Sequence, residues 1–140
     1  MSSEPEALGQ LIKRVQYRHH RALETQLGQV GTSLAQWDAL RAIAHWPGAT
    51  ALALAQATFQ SAQAFGTLAG RLEAQGLIER RPGRGRRIEH LLTPDGQRTL
   101  EAGHPVLSDV LGASFADLSA QERATLAQLL SRVADEPLGG

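Results

Sequence analysis

The sequence predicts a mainly α-helical chain with a small β wing of two to three strands. Three observations between Leu54 and Gly96 point that way. Behind Ser61, a plausible helix cap, Phe65, Leu68, Ala69 and Leu72 recur at helical spacing and form one apolar stripe. Two short strand candidates follow, Leu77–Arg80 and Ile88–Leu92. The segment from Arg81 to Arg87, rich in arginine and glycine, joins them. A helix-turn-helix followed by a basic hairpin is a winged helix-turn-helix, whose expected partner is double-stranded DNA.

The other elements follow in order. From Leu8 to Val30, the residues Leu8, Leu11, Ile12, Val15, Ala22, Leu23, Leu27 and Val30 mark one long amphipathic helix. Ser3-Glu-Pro-Glu6 supplies a start resembling a capping box, with proline early in the first turn. Tyr17, His20 and Glu24 lie on a second face, available to a partner subunit or a ligand. Ser33-Leu-Ala-Gln36 opens a helix carrying Trp37, Leu40, Ile43 and Ala44, which Trp46-Pro-Gly48 ends. Thr50 caps a short helix through Ala57, the first of the helix-turn-helix pair. The recognition helix spans about 61–75, and Gly76 closes it in a conformation that needs positive φ.

Thr93-Pro-Asp-Gly96 restarts the helix, with Thr as cap, Pro in the first position and an acid where the helix dipole favours it. Leu100, His104, Leu107, Leu111 and Phe115 run down one side, with Pro105 placed to kink the helix. Ser119-Ala-Gln-Glu122 is a third capping box, and Leu126, Leu129, Leu130 and Val133 form the last stripe. Asp135 to Gly140 reads as a frayed tail. The expected organisation is a dimerisation helix at 1–32, the winged domain at 33–93 and dimerisation helices at 94–140. Terminal helices that cannot bury both faces in one small fold predict an intertwined helical dimer. Such a homodimer would set two recognition helices about 34–36 Å apart, matching a palindromic site.

Composition narrows the function. An apolar fraction of 42% supports a real core, and the lack of cysteine excludes disulfides, thiolate metal sites and thiol redox sensing. No run approaches the apolar length of a membrane span and the start has no signal-like core, so a soluble, cytoplasmic protein is expected. Net charge is zero, but Arg80, Arg81, Arg84, Arg86 and Arg87 hold five of the 14 basic residues without an acid among them. A polyanion responds to that local patch, not to the total. No nucleophile elbow, phosphate-cradling loop or paired-carboxylate site is present, so no catalytic residues and no enzyme are expected.

The residue chemistry follows. Gln63 suits an adenine edge, Thr67 a thymine methyl or base acceptor, and Ser61 a phosphate at a helix N-terminus. Gly66 and Gly70 let the helix lie close to a groove. Arg84, Arg86 and Arg87 are wing-tip candidates for a narrow minor groove, where negative potential concentrates. Arg80 or Arg81 can instead pair with Glu79 or Glu89, and Arg71 can contact DNA or serve as a structural ion-pair partner. Tyr17, His20 and Trp37 are candidate effector contacts; otherwise Trp37 is core, and Tyr17 and His20 are dimer contacts. His19, His20, His90 and His104 raise a metal-responsive alternative, but their spacing completes no clean ligand set and no metal site is assigned.

Taken together, these residues resemble the MarR family of bacterial transcriptional regulators. The carrying motifs are Ser33-Leu-Ala-Gln-Trp37, Leu40-Arg-Ala-Ile43, Leu54-Ala55, Arg71-Leu-Glu-Ala-Gln-Gly-Leu-Ile78, Glu79-Arg-Arg81, Arg87 and Leu92-Thr-Pro-Asp-Gly96, in this order. The resemblance covers nearly the whole chain. It implies a homodimeric repressor on a pseudopalindromic operator, with the recognition helix in the major groove and the wing at the minor groove and backbone. It also implies no required cofactor, and release of DNA when a small aromatic or anionic effector binds between the dimer helices and the DNA-binding lobe. Two features depart from the family pattern. Gly85 stands where an Asp commonly precedes a pair of basic residues, and Ala62, Ala64 and Gly66 leave the recognition helix poor in charge. A winged-helix interaction module without specific DNA binding is therefore the alternative.

Overall fold

Each of the six helices among the described residues starts on a hydroxyl. The computed structural model describes residues 3–135. In it Ser3, Ser33, Thr50, Ser61 and Thr93 each accept a hydrogen bond from a first-turn backbone N–H. Ser119 accepts from Glu122, whose carboxylate accepts in return from the Ser119 N–H. Such caps satisfy donors the helix leaves unpaired, each typically worth about 1 kcal/mol. The helices are α1 Glu4–Gly28, α2 Leu34–His45, α3 Ala51–Ala57, α4 Ala62–Ala74, α5 Pro94–Ser114 and α6 Ala120–Asp135. The Ser3–Glu6 box is fully reciprocal. At Ser33 only half of it forms, because the Gln36 side chain accepts from the Thr32 hydroxyl instead.

The wing is an antiparallel pair, β1 Ile78–Pro82 and β2 Ile88–Leu92, in register from Ile78 opposite Leu92 to Pro82 opposite Ile88. The first strand thus runs two residues past its expected end at Arg80. Among the described residues the sheet has two strands and no third. On its open side the Gly48 N–H donates to the His90 carbonyl (3.0 Å), and the His90 N–H donates to Ala49 (3.2 Å). That contact is too short to extend into a strand.

The core gathers one side of every element except α6, with β2 contributing the buried His90 and the partly buried Leu92. Leu23 and Leu27 of α1 meet Trp37, Leu40 and Ile43 of α2, Leu54 of α3, Phe65, Ala69 and Leu72 of α4, Ile78 of β1 and Leu100 of α5. Two glycines of α5 allow close approach. A Cβ on Gly96 would overlap the Leu77 carbonyl oxygen, and one on Gly103 would overlap the Trp37 indole nitrogen. The helix continues past Pro105, so the proline removes one hydrogen bond without ending it.

The terminal helices contrast with this core. The Glu24 carboxylate accepts the Leu34 N–H and ties the end of α1 to the start of α2. Earlier in α1, Leu8, Leu11, Ile12 and Val15 are 43–54% exposed. α6 has no buried residue at all. Of the expected frayed tail Asp135–Gly140, Asp135 is instead the last residue of α6, and residues 136–140 lie outside the described residues. Among the described residues no helix is long and apolar enough to cross a membrane.

Candidate nucleic-acid interface

Helix α4 has two chemically distinct sides. Phe65, Ala69 and Leu72 are buried, while Ser61, Gln63, Thr67 and Arg71 are exposed. Ser61 caps the helix by accepting from Ala64 N–H at 3.0 Å, which leaves its own proton to donate. The Thr67 hydroxyl donates to the Gln63 carbonyl at 3.1 Å, leaving its methyl and acceptor lone pairs available. Arg71 has no ion-pair partner among the described residues. A side chain added at Gly66 would meet open space, whereas Gly70 lies 3.8 Å from the Arg80 guanidinium.

The five wing arginines divide into two groups. Arg80 reaches back to Glu73 near the end of α4 (2.8 Å), bracing the wing against the helix. Hydrogen bonding from Arg80 holds the Glu73 carboxyl below its ordinary range, and the same bond raises the Arg80 value. Arg81 donates twice to one Glu79 carboxylate oxygen, at 3.0 and 2.6 Å. Arg84, Arg86 and Arg87 are exposed and have no ion pair among the described residues. Mutual repulsion among three such cations is relieved by a polyanion.

The wing tip holds its shape without a carboxylate at position 85. Gly85 adopts φ +65°, open to glycine at no steric cost. Gly83 N–H donates to Arg87 O (2.8 Å) and Arg87 N–H to Arg84 O (3.2 Å), closing the turn. Glu89, opposite Arg81 in the register, makes no ion pair with it; its side chain packs over Gly83, where a Cβ would come within 2.9 Å. Behind the wing, His90 is buried, its Nδ1 lies 2.9 Å from the Ala49 carbonyl, and its ring meets Phe65 edge-on. Thr93 fastens the other end through its N–H to Leu77 O and its hydroxyl to Gly76 O.

The effector candidates do not converge. Trp37 is 3% exposed, donates its indole N–H to Leu100 O at 3.0 Å and meets His104 edge-on, so it is a core residue with its donor already used. Tyr17 lines a groove of about 460 Å³ between α1 and α5, together with Arg18, His19, Arg21, Val110 and Ser114. His20 does not line that groove. Its neighbour His19 does, with Nε2 2.6 Å from the Ser114 hydroxyl and its ring edge-on to Phe115. The two adjacent histidines face different sides because neighbours on a helix diverge by about 100°. Among the described residues no three His, Cys, Asp or Glu side chains group as metal ligands.

Residues 30–88 match the model of the MarR family. No curated protein sequence matches the chain significantly. Solved structures match it nearly end to end. A mutant of MarR from E. coli, complexed with operator DNA, is 28% identical with TM-score 0.84, over 91% of this chain and 93% of that one. A probable transcriptional regulator from Pseudomonas aeruginosa is 29% identical with TM-score 0.79, covering 89% and 95%. A MarR family protein of Mycobacterium tuberculosis in complex with salicylic acid shares the fold at 24% identity and TM-score 0.74, covering 90% and 95%. The central segment thus matches the MarR family model, and the whole fold resembles solved MarR structures with a winged helix-turn-helix.

Proposed function

We propose that the protein is a sequence-specific DNA-binding transcriptional regulator, acting as a homodimeric, ligand-responsive repressor on a pseudopalindromic operator. The observation that carries this reading is the pairing, on one lobe, of three exposed arginines without ion pairs with the exposed polar side of α4. Gln63 and Thr67 read base edges in the major groove, and Ser61 and Arg71 engage phosphate. Arg84, Arg86 and Arg87 enter the minor groove or its backbone, with Arg81 beside them. The likeness to E. coli MarR solved with operator DNA supports the assignment.

The dimer rests on a separate observation. A lone helix of this length is marginal in water, and α6 exposes its stripe and buries nothing within the chain. Pairing α6 and the first half of α1 with a second copy covers both stripes. The groove between α1 and α5 is the effector site of this reading, where Tyr17, Arg18, Arg21 and His19 suit a small aromatic acid.

The test is binding of the full-length protein to duplexes selected from a random-sequence library, across a salt series. With about four phosphates engaged per protomer, log K should fall against log salt with a slope of about −7, and a monomer should give roughly half that. Failure to select any sequence at low salt would favour the winged-helix interaction module.

A further inference from the structure

Phe59 takes no part in the DNA contacts proposed for α4 and the wing. It lies in the turn between α3 and α4, two residues before the Ser61 cap, and is 97% exposed. No other exposed large apolar residue among those described reaches that value. Its φ of 60° is the one positive value held by a non-glycine residue among the described residues. Both features work against the fold. A bulky side chain in the left-handed region crowds the following carbonyl, and glycine or asparagine is the usual occupant. A phenyl ring in water gains nothing from burial.

The neighbouring turn enforces the conformation. The Thr58 hydroxyl donates to Leu54 O (2.7 Å), Phe59 N–H to Gln56 O (3.3 Å) and Gln60 N–H to Ala55 O (2.9 Å). Strain of this kind, held in place by its surroundings, concentrates at functional sites. The ring's surroundings in sequence are polar: Gln56, Gln60, Ser61 and Gln63. A DNA groove offers base-edge and phosphate hydrogen-bond partners to the amides and hydroxyl of those four, and its apolar feature at a base edge is the thymine C5 methyl.

We propose that Phe59 is a specificity-determining residue whose ring packs on a thymine methyl beside the N-terminal turn of α4. This rests on the DNA-binding reading, and the experiment separates the two. A duplex selected by the full-length protein is remade with each thymine singly replaced by deoxyuridine, which removes only the methyl. Binding and thermal unfolding are measured for the wild type and Phe59→Gly.

One replacement in each half-site should weaken the wild type by about fourfold, the worth of one methyl kept from water. Phe59→Gly should bind the parent duplex at least that much more weakly and be indifferent to the same replacement. Its Tm should rise by about 3 °C as the backbone strain is relieved. Equal weakening of Phe59→Gly on every sequence, or a deoxyuridine profile unchanged by the substitution, would overturn the assignment while leaving DNA binding intact. If the wild type selects no duplex, the DNA reading itself falls, and the assignment with it.

Discussion

Phe65, Ala69 and Leu72 of α4 and Leu129, Leu130 and Val133 of α6 each belong to an apolar stripe with helical periodicity. The first three are buried, while the last three are 43–56% exposed. Nothing in the periodicity separates the two stripes. What differs is the surroundings: α4 is enclosed by α2, α3 and β1, whereas α6 comes last, after the central lobe is already closed. A stripe therefore reports that a helix needs covering, and the fold decides whether the chain covers it itself. α1 contains both cases, anchored by Leu23 and Leu27 and uncovered from Leu8 to Val15.

The enclosed lobe should be most sensitive to substitution at Gly96. A Cβ there meets the Leu77 carbonyl, which is backbone and cannot swing aside. Gly96→Ala should cost about 3 kcal/mol and lower Tm by roughly 10 °C, with DNA binding lost as the lobe loosens. Differential scanning calorimetry checks the first effect, and an unchanged Tm would mean that the α5–wing junction is slack.

Charging the other stripe should act on assembly alone. Leu129→Glu with Leu130→Glu should give a monomer by sedimentation, with the salt slope falling to about half. The near-ultraviolet signal of buried Trp37 should persist. Loss of that signal along with the dimer would show that the lobe depends on its partner to fold.

The wing sharpens the contrast within the lobe. Arg86→Ala with Arg87→Ala removes exposed, unpaired charge, so stability should stay within about 0.5 kcal/mol. Affinity should fall about 10- to 100-fold at moderate salt, with the slope shallower by about 3 to 4 if both arginines of each protomer engage phosphate. An unchanged slope would move the phosphate contacts elsewhere.

The smallest effect belongs to the Glu73–Arg80 brace. The Arg80 hydrogen bond holds the folded-state carboxyl below its ordinary 4.5, so the brace contributes fully above that pH and fades as pH falls through the lowered value. The difference in urea midpoint between wild type and Glu73→Gln should be largest near neutrality and shrink below pH 4.5. A gap that widened in acid would contradict the pairing.

Much of this was legible because it is local. The helix starts follow from hydroxyl caps, and Gly76 takes its expected positive φ of 76°. The exposed, unpaired state of Arg84, Arg86 and Arg87 follows from a hairpin tip with no acid in it. Facts set by tertiary packing were not legible. Trp37 reads equally as pocket or core until α5 lays the Leu100 carbonyl against it. The reach of Arg80 to Glu73, and the glycines that make room for Leu77 and Trp37, need the helices in place. The strain at Phe59 left no mark in the periodicity, since one aromatic residue in a turn fits no repeating pattern.

The bonds of His90 to Gly48 and Ala49, and of Thr93 to Gly76 and Leu77, have a mechanical consequence. They tie the wing to the α2–α3 loop and to the turn after α4, and Arg80–Glu73 ties it to α4, so under the proposed function a shift arriving through α5 would carry helix and wing together. The arm is long: α5, at 21 residues, spans about 30 Å. A tilt of about 5° at its base would carry the far end through roughly 3 Å, close to the rise of one base pair in each half of a dimer. In the proposed homodimer, a ligand that shifted the helix crossing slightly would thus put the two DNA-binding lobes out of step with their site while the contacts inside each lobe stay intact.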